Sequence, residues 1–600
     1  MSQRLVRIGG ASGAWGDSPR AIPQLLRSPV DYLMMDYLAE VTMSLLARSR
    51  LKDPKSGFPP DFVFYLRDSL PDIAKRKIRI ASNAGGVNPL GCKAALETMC
   101  EQLGLKLSIA AIMGDDVMPM VDQLRAKGVR ESVSGAELPQ RLLTANAYLG
   151  ALPIKAAFDH GADIVITGRC ADSALALGIL MHEFNWKPTD YDLLASGSLV
   201  GHLLECGPQS TGGLFTDWET VPDWHDIGYP IAECAADGTF VLTKPENTGG
   251  LVIPGTVAEQ ALYEIDDPMA YVLPDVVADF SNVRLAQDGP NRVQVSGARG
   301  RPPTDAYKVS ATYQDGYRAV ATVSIVGVDA ARKARRTAEA LLARARMAFE
   351  ELGLADFSAT HIEELGADAA YGYDTSRSAS REVLLRLVVA HQDRKAIDVF
   401  ARELGSVGIS FAPGTTGIYS GRPKATPLIR LFTFFVEKTA LGRPSVQLDQ
   451  RTNEVDIPAG GAVAGPSSDR TPAAGAGADE ADDVPMTTVP LFRLALARSG
   501  DKGNSSNVAI IARDPAYVPI LRREVTAERM AQHFRQLVDG PVHRYEAPGL
   551  HAFNFVMENA LGGGGMASPR IDPQGKAFGQ MALEMVVRVP CSLLGGAGST

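Results

Sequence analysis

The chain has 600 residues, 45% of them hydrophobic and 22% charged, with a formal net charge of −9. That composition supplies several hydrophobic cores, roughly three to five folding units at ordinary domain size. The acidic balance argues against a nucleic-acid binder. No apolar run of about 18 residues announces a transmembrane helix, and the start lacks a secretory core. A cytoplasmic chain engaging neither membrane nor nucleic acid is therefore expected. The six cysteines (Cys92, Cys100, Cys170, Cys206, Cys234 and Cys591) are far apart and form no C-x-x-C pair, so neither disulfides nor a zinc site is expected.

The first half repeats one phrase of apolar strand, glycine-rich turn and helix. Leu5 to Ile8 leads into Gly9–Asp17, with Ser18 and Pro19 fitting an N-cap and a first helical position. Lys77 to Ala81 leads into Ser82–Pro89 and a helix from Cys92 to Leu103. Leu107 to Ile112 ends in Met113-Gly114-Asp115-Asp116, and Asp163 to Thr167 leads into Gly168–Asp172 and a helix from Ser173 to Phe184. Short apolar strands alternating with helices predict a mostly parallel sheet covered on both faces, with ligands beyond the strands' carboxyl ends.

From about residue 285 the texture changes to an α+β layer. Arg292 to Ser296, Tyr307 to Tyr313 and Tyr317 to Val326 read as strands, the last two joined by a hairpin at Gln314-Asp315-Gly316. A helix from Ala330 to Leu352 follows, then strands at Ala359 to Leu365 and Glu382 to Ala390 and a helix from Arg394 to Leu404. Arg332 to Arg336, the densest basic stretch, reads as the solvated face of the first of these helices. Asp456 to Thr488 is rich in Gly, Ala, Pro, Ser and Asp and reads as a flexible linker. Beyond it, Val489 to Cys591 forms a small α+β unit, opening with a strand from Leu491 to Ala497 and closing with one from Met585 to Val589.

Arg7–Gly13, Asn83–Pro89, Ile166–Arg169, Gly201–Gly207 and Thr243–Gly250 together resemble the acyclic terpene utilisation (AtuA-like) family over roughly residues 1–450. Ala497–Asn504, Asn554-Phe555 and Gly562–Gly565 resemble its small ferredoxin-like domain. The resemblance implies an α/β core over residues 1–285, an α+β domain over 286–455, a linker over 456–488 and a ferredoxin-like domain over 489–600. It also implies a place in the breakdown of branched acyl-CoA esters, but it carries no catalytic residue assignment.

The candidate sites come from the residues themselves. Gly10, Ser12, Gly13 and Asp17 in the first turn, and Asn83, Gly85 and Gly86 in the second, offer helix N-termini to an anion, or simply close packing. Neither turn is a nucleotide motif. Gly10-x-x-Gly13-x-x-Gly16 lacks the dinucleotide spacing, and Gly86-x-x-x-x-Gly91-Cys92-Lys93-Ala94 departs from a P-loop. Arg169 can fork onto a carboxylate or phosphate, while Asp172 caps the next helix or serves as an acid–base group. His202 and Glu205, three apart on a helix, could share a proton or a metal, or simply form a structural contact; Cys206 would be a nucleophile only with a lowered pKa, and otherwise an inert buried thiol. Lys244, Arg498, Lys502 and Arg570 add positive charge for a substrate, the tail residues suiting coenzyme A phosphates. Asp305 and Lys308 read either as site groups or as solvated charges on a surface hairpin.

The leading reading is a lyase or hydratase acting on a branched acyl-CoA. Coenzyme A enters as part of the substrate, with no further cofactor and no metal. The competing readings are a non-catalytic subunit that binds a CoA intermediate and a transferase using a Cys206 adduct. A homo-oligomer is the default expectation. The tail is expected to dock near the Gly9–Asp17 and Gly201–Gly213 turns, with Lys502 facing the shared cleft.

Overall fold

The computed structural model describes residues 4–372, 380–417, 421–461 and 485–593. Most of the expected linker lies outside them. Its described beginning runs to Gly461, whose carbonyl accepts from the Asp305 amide at 3.1 Å.

At the centre, Val6–Ser12, Tyr32–Met35, Arg79–Ser82, Ile164–Thr167 and Ile109–Met113 lie side by side in that order, all parallel. The sheet does not stay mostly parallel. Ile231–Cys234, Phe240–Thr243, Val293–Ser296 and Arg284–Gln287 extend it antiparallel beyond Val6–Ser12, and Ser445–Leu448 and Arg451–Glu454 do so beyond Ile109–Met113. It is a mixed eleven-stranded sheet with a parallel heart. The expectation failed because the antiparallel flanks come from hairpins and from a return of the chain after residue 440, neither of which has the strand–turn–helix phrasing.

The two faces follow the period-two rule for side chains. Ile8, Tyr32, Met34, Ala81, Ala110, Ile112 and Val165 pack on one side under the helices Leu152–Asp159, Ala174–Phe184 and Tyr191–Leu204. Leu33, Met35, Ile80, Ile109, Ile164 and Ile166 pack on the other under Pro60–Leu66, Leu70–Arg76 and Pro89–Leu103. The last helix is capped by Asn88, which accepts from the Gly91 amide at 3.1 Å. Ser18 caps no helix: the first helix, Ala21–Leu25, starts later, and the Ser18 hydroxyl accepts from the Arg20 amide instead.

A second, antiparallel sheet is built on one long strand, Ala306–Val326. It pairs with Glu382–His391, Thr426–Glu437 and Thr144–Ala147. The hairpin expected at Gln314-Asp315-Gly316 is therefore a bulge. Three steps from Gln314 to Tyr317 oppose two from Ile429 to Pro427, and Gly316 takes up the strain at φ +80°. Helices Ala330–Leu352 and Arg394–Glu403 cover this sheet through Ala334, Ala338, Leu341, Ile397 and Phe400.

The small unit is a four-stranded antiparallel sheet ordered Ala495–Lys502, Ser505–Ala512, Ala552–Met557, Val542–Ala547, with helices Val518–Glu524, Ala527–His533 and Phe578–Leu583. A separate two-stranded ribbon pairs Met486–Pro490 with Val586–Pro590. Its first sheet strand starts four residues later than expected, because Leu491–Arg493 forms a 3-10 turn. Lys502 pairs with Ser505 across a two-residue turn, Gly503-Asn504, with Gly503 at φ +62°. This hairpin tip points the lysine into the large domain. Among the described residues, no helix is long and apolar enough to cross a membrane.

Candidate functional site

The small sheet is fastened to the large domain by buried amides. Asn507 donates to the Leu262 carbonyl at 2.8 Å and accepts from the Glu264 amide at 3.0 Å. Asn554 donates to the carbonyls of Ile265 and Asp266 at 2.7 and 2.6 Å. Thr216 bonds the Ala497 backbone, Arg498 reaches Gln209, and Arg513 forks onto Asp217 at 2.5 and 2.6 Å. The tail thus docks on the 207–217 and 262–266 segments. The Gly9–Asp17 turn packs instead against Cys206 and Gly207.

A cavity of about 860 Å³ opens along this seam. Tyr148, Asp172, Tyr271 and Lys308 of the large domain and Lys502 and Asn504 of the small one line it, and Val272, Leu273, Leu431, Phe432 and Phe435 give it an apolar wall. Asp266, Arg430 and Gly563 also face it.

The strand ends explain the polar part. Asp36, Asp115 and Arg169 follow the carboxyl ends of three central strands and are all buried. Asn83 donates to Asp36 at 2.6 Å, and Asp115 accepts from the Arg169 amide at 2.9 Å and from Asn146 at 2.8 Å. The Arg169 guanidinium donates to the Leu38 carbonyl at 2.6 Å and to Asp172 at 2.9 Å, and lies 4.3 Å from the centre of the Tyr148 ring. Tyr148 donates to Glu40 at 2.5 Å. The Nζ of Lys308 leans on the same ring at 4.9 Å, and that of Lys502 on the Tyr271 ring at 5.1 Å.

Burial sets the protonation. It raises the carboxyls of Asp36, Asp172, Glu205 and Glu264, and neighbouring carboxylates add to the shift while Arg169 and Lys502 oppose it. Asp115 is pushed up to about 6 and Asp501 to about 8, each first by burial. Glu40 goes the other way, to about 2, because Lys308, Arg169 and the Tyr148 hydroxyl outweigh its burial. Lys502 keeps its charge: Tyr271, Asp266 and Glu264 more than offset burial. Burial lowers Lys308, reinforced by Lys502 and Arg169 against the pull of Glu40.

Of the residues expected at a site, Asp172 and Lys502 reach the cavity, and Arg169 stands directly behind Asp172. Asp172 is no helix cap: the helix Ala174–Phe184 begins after Ser173, and the Asp172 carboxylate turns to Arg169. Lys308 is no solvated hairpin charge but part of the cavity wall. His202 and Glu205 do pair, at 3.0 Å, but beneath Tyr271, with the rings of His202 and Tyr271 6.1 Å apart. Burial pushes His202 down to about 4, so it is neutral. Burial, Glu205 and Glu264 raise Cys206, so it is a thiol rather than a nucleophilic thiolate.

The remaining candidates are held in structural contacts. Asp17 bonds the Gly13 amide at 2.9 Å and the Tyr229 hydroxyl at 2.6 Å, and Ser12 bonds the Asp36 carbonyl. Gly10, Gly13 and Gly85 allow close packing: an added Cβ would lie 2.7, 2.6 and 2.6 Å from backbone atoms of Leu204, Cys206 and Thr167. Gly86 turns the chain at φ +57° against Leu46 and Gly57. Lys244 ties down Thr248 at 2.7 Å, Arg498 lies 4.5 Å from the Tyr263 ring centre, and Arg570 bonds the Leu537 and Ala560 carbonyls. Sequence reading missed Tyr148, Tyr271, Glu40 and Glu264. The one local signal available was Asp36, a carboxylate placed directly after a buried apolar strand.

Fold and cavity together define a mixed α/β protein whose seam cavity is lined in part by a fused small domain. The chain belongs to the acyclic terpene utilisation family: the model of "Acyclic terpene utilisation family protein AtuA" matches residues 6–446, and that of the "AtuA ferredoxin-like domain" matches residues 489–588. Searches of curated proteins and of solved structures each return no match.

Proposed function

We propose that the chain is an enzyme acting on a branched acyl-CoA ester, by lyase or hydratase chemistry, within acyclic terpene utilisation. The observation that carries this reading is the seam cavity, with polar groups at Lys502, Lys308 and Asp172 and an apolar wall at Val272, Leu273, Leu431 and Phe432. The apolar wall suits a branched hydrocarbon chain. The Lys502 ammonium stabilises negative charge developing on a thioester oxygen. Asp172, whose carboxyl burial raises against the pull of Arg169, serves as general acid to a departing hydroxyl or carbon. His202 and Glu205 then act from behind Tyr271, fixing its ring, rather than touching substrate.

The test is incubation of the purified chain with a panel of branched enoyl- and hydroxyacyl-CoA esters, read by mass spectrometry and thermal melting. Consumption of one ester, lost in Lys502→Met, is expected. A panel that is neither consumed nor raises the melting temperature overturns the reading. Stabilisation without turnover would replace it with a CoA-binding subunit.

A further inference from the structure

Two lysines face one cavity and are treated in opposite ways. Lys502 approaches from the small domain and is surrounded by Glu264, Asp266 and Tyr271, which keep it charged. Lys308 comes from the long strand Ala306–Val326 of the large domain. Its Nζ makes no hydrogen bond or salt bridge among the described residues and lies 4.9 Å from the centre of the Tyr148 ring. The groups around it are Glu40, Asp266, Lys502 and Arg169. Glu40 is already engaged by the Tyr148 hydroxyl. An amine desolvated in this way and crowded by two cations loses its proton more readily than a free lysine, which makes it a nucleophile toward carbonyl carbon.

We propose that Lys308 is a covalent catalyst whose Nζ condenses with the keto carbonyl of a 3-oxoacyl substrate bound in this cavity. The amine lone pair attacks the keto carbon to give a carbinolamine. Its hydroxyl leaves as water, taking one proton from Asp172, and the remaining N–C bond becomes a protonated imine. The iminium accepts the electron pair of the neighbouring C–H bond as the Asp172 carboxylate takes that proton. Alternatively it accepts the pair of a C–C bond whose far carbon bears a hydroxyl, which gives its proton to Asp172 as that fragment leaves as a carbonyl compound. The enamine so formed takes the proton back from Asp172 at carbon and is a protonated imine again. Water then hydrolyses the imine and returns the free amine. Lys502, charged and on the small domain, holds the thioester oxygen. This rests on the cavity being the substrate site and narrows its substrate to a carbonyl compound.

The full chain is incubated with acetoacetyl-CoA, and separately with acetoacetate, in sodium borohydride, then digested and mapped by mass spectrometry. A reduced adduct on Lys308 is expected with at least one probe, and the total adduct on the chain should fall at least tenfold in Lys308→Ala. Lys308→Arg, which keeps the charge and length, serves as the folding control by thermal melting. In Lys502→Met, removal of a neighbouring cation should move the pH profile of trapping upward. An adduct spread equally over surface lysines, or a profile that does not move, overturns the proposal. Acyl-CoA turnover that survives in Lys308→Ala also overturns it while leaving the proposed function intact. If no CoA ester binds but acetoacetate labels Lys308, the CoA reading fails and the imine site stands.

Discussion

The turns at the carboxyl ends of the central strands and the seam beneath the small domain carry similar residue types to different ends. In the Gly9–Asp17 and Asn83–Pro89 turns, glycines bring backbone against backbone, and the polar side chains Ser12, Asp17 and Asn83 are spent on internal hydrogen bonds. At the seam, the Nζ atoms of Lys308 and Lys502 make no hydrogen bond among the described residues and rest on aromatic rings beside a cavity, and burial raises the carboxyls of Asp172 and Glu264. A glycine-rich turn at a strand end is thus a place where the chain can pack tightly. It becomes a binding site only if something keeps its amides open. Chemistry gathers where two independently folded surfaces bring charges together that neither could bury alone.

The largest contrast should come from Arg169, which bridges the two regions. Arg169→Met leaves Asp172, Glu40 and Asp36 without their buried cation, and a cost of about 3–5 kcal/mol is expected. Urea unfolding measures it, and a loss under about 1 kcal/mol would mean that the carboxylates are balanced by another route. Lys502→Met should behave in the opposite manner. Stability changes little, while kcat/KM on a consumed ester falls about 100-fold, the scale of one oxyanion donor. A melting temperature that drops in step with activity would make Lys502 a docking residue.

Next in size is Gly13→Ala. Its Cβ would stand 2.6 Å from a Cys206 backbone carbon, so the two segments must separate, at about 1–3 kcal/mol. Ligand affinity should be untouched, because no cavity residue lies there. An altered affinity in an otherwise stable Gly13→Ala would return the turn to the list of binding elements.

How much of this was legible in the sequence varied with the range of the forces involved. The helix Ala330–Leu352 was readable to the residue, since Ala330, Ala334, Ala338, Leu341, Ala345 and Phe349 mark a single buried stripe. The parallel heart was readable because each strand is a short apolar run ending in a turn. Ser445–Leu448 was not, since its partner, Ile109–Met113, lies more than 300 residues upstream and pairing leaves no local trace. Gln314-Asp315-Gly316 misled because a bulge and a hairpin use the same glycine, and only the partner strand decides between them. At the site, Asp172, Arg169 and Lys502 were visible as charges beside strands and glycines. Tyr148 and Tyr271 were not, since an aromatic ring gains its role only from the cations that come to rest on it.

The smallest expected effect tests the seam through pH. Glu259 lies under the docking contact: it is 3% exposed, and its carboxylate accepts from the Thr216 amide at 3.2 Å, beside the hydroxyl that bonds Ala497. Burial pushes it up from 4.5 to about 8, against the Thr216 bonds and Arg498, which favour the charged form. The folded state therefore holds this proton more tightly than the unfolded one. The stability it contributes is complete below pH 4.5, fades as pH rises, and is gone above about 8. Glu259→Gln keeps the shape and removes the titration. It should leave stability at pH 4.5 nearly unchanged and raise it at pH 8 by about 1 kcal/mol, since local opening lets water reach the charged wild-type group. Thermal melts of both proteins across pH 4.5 to 8.5 give the difference curve. A gap that widens toward acid instead would mean that Glu259 is held as a carboxylate by Arg498, and that the seam is closed by an ion pair rather than by a retained proton.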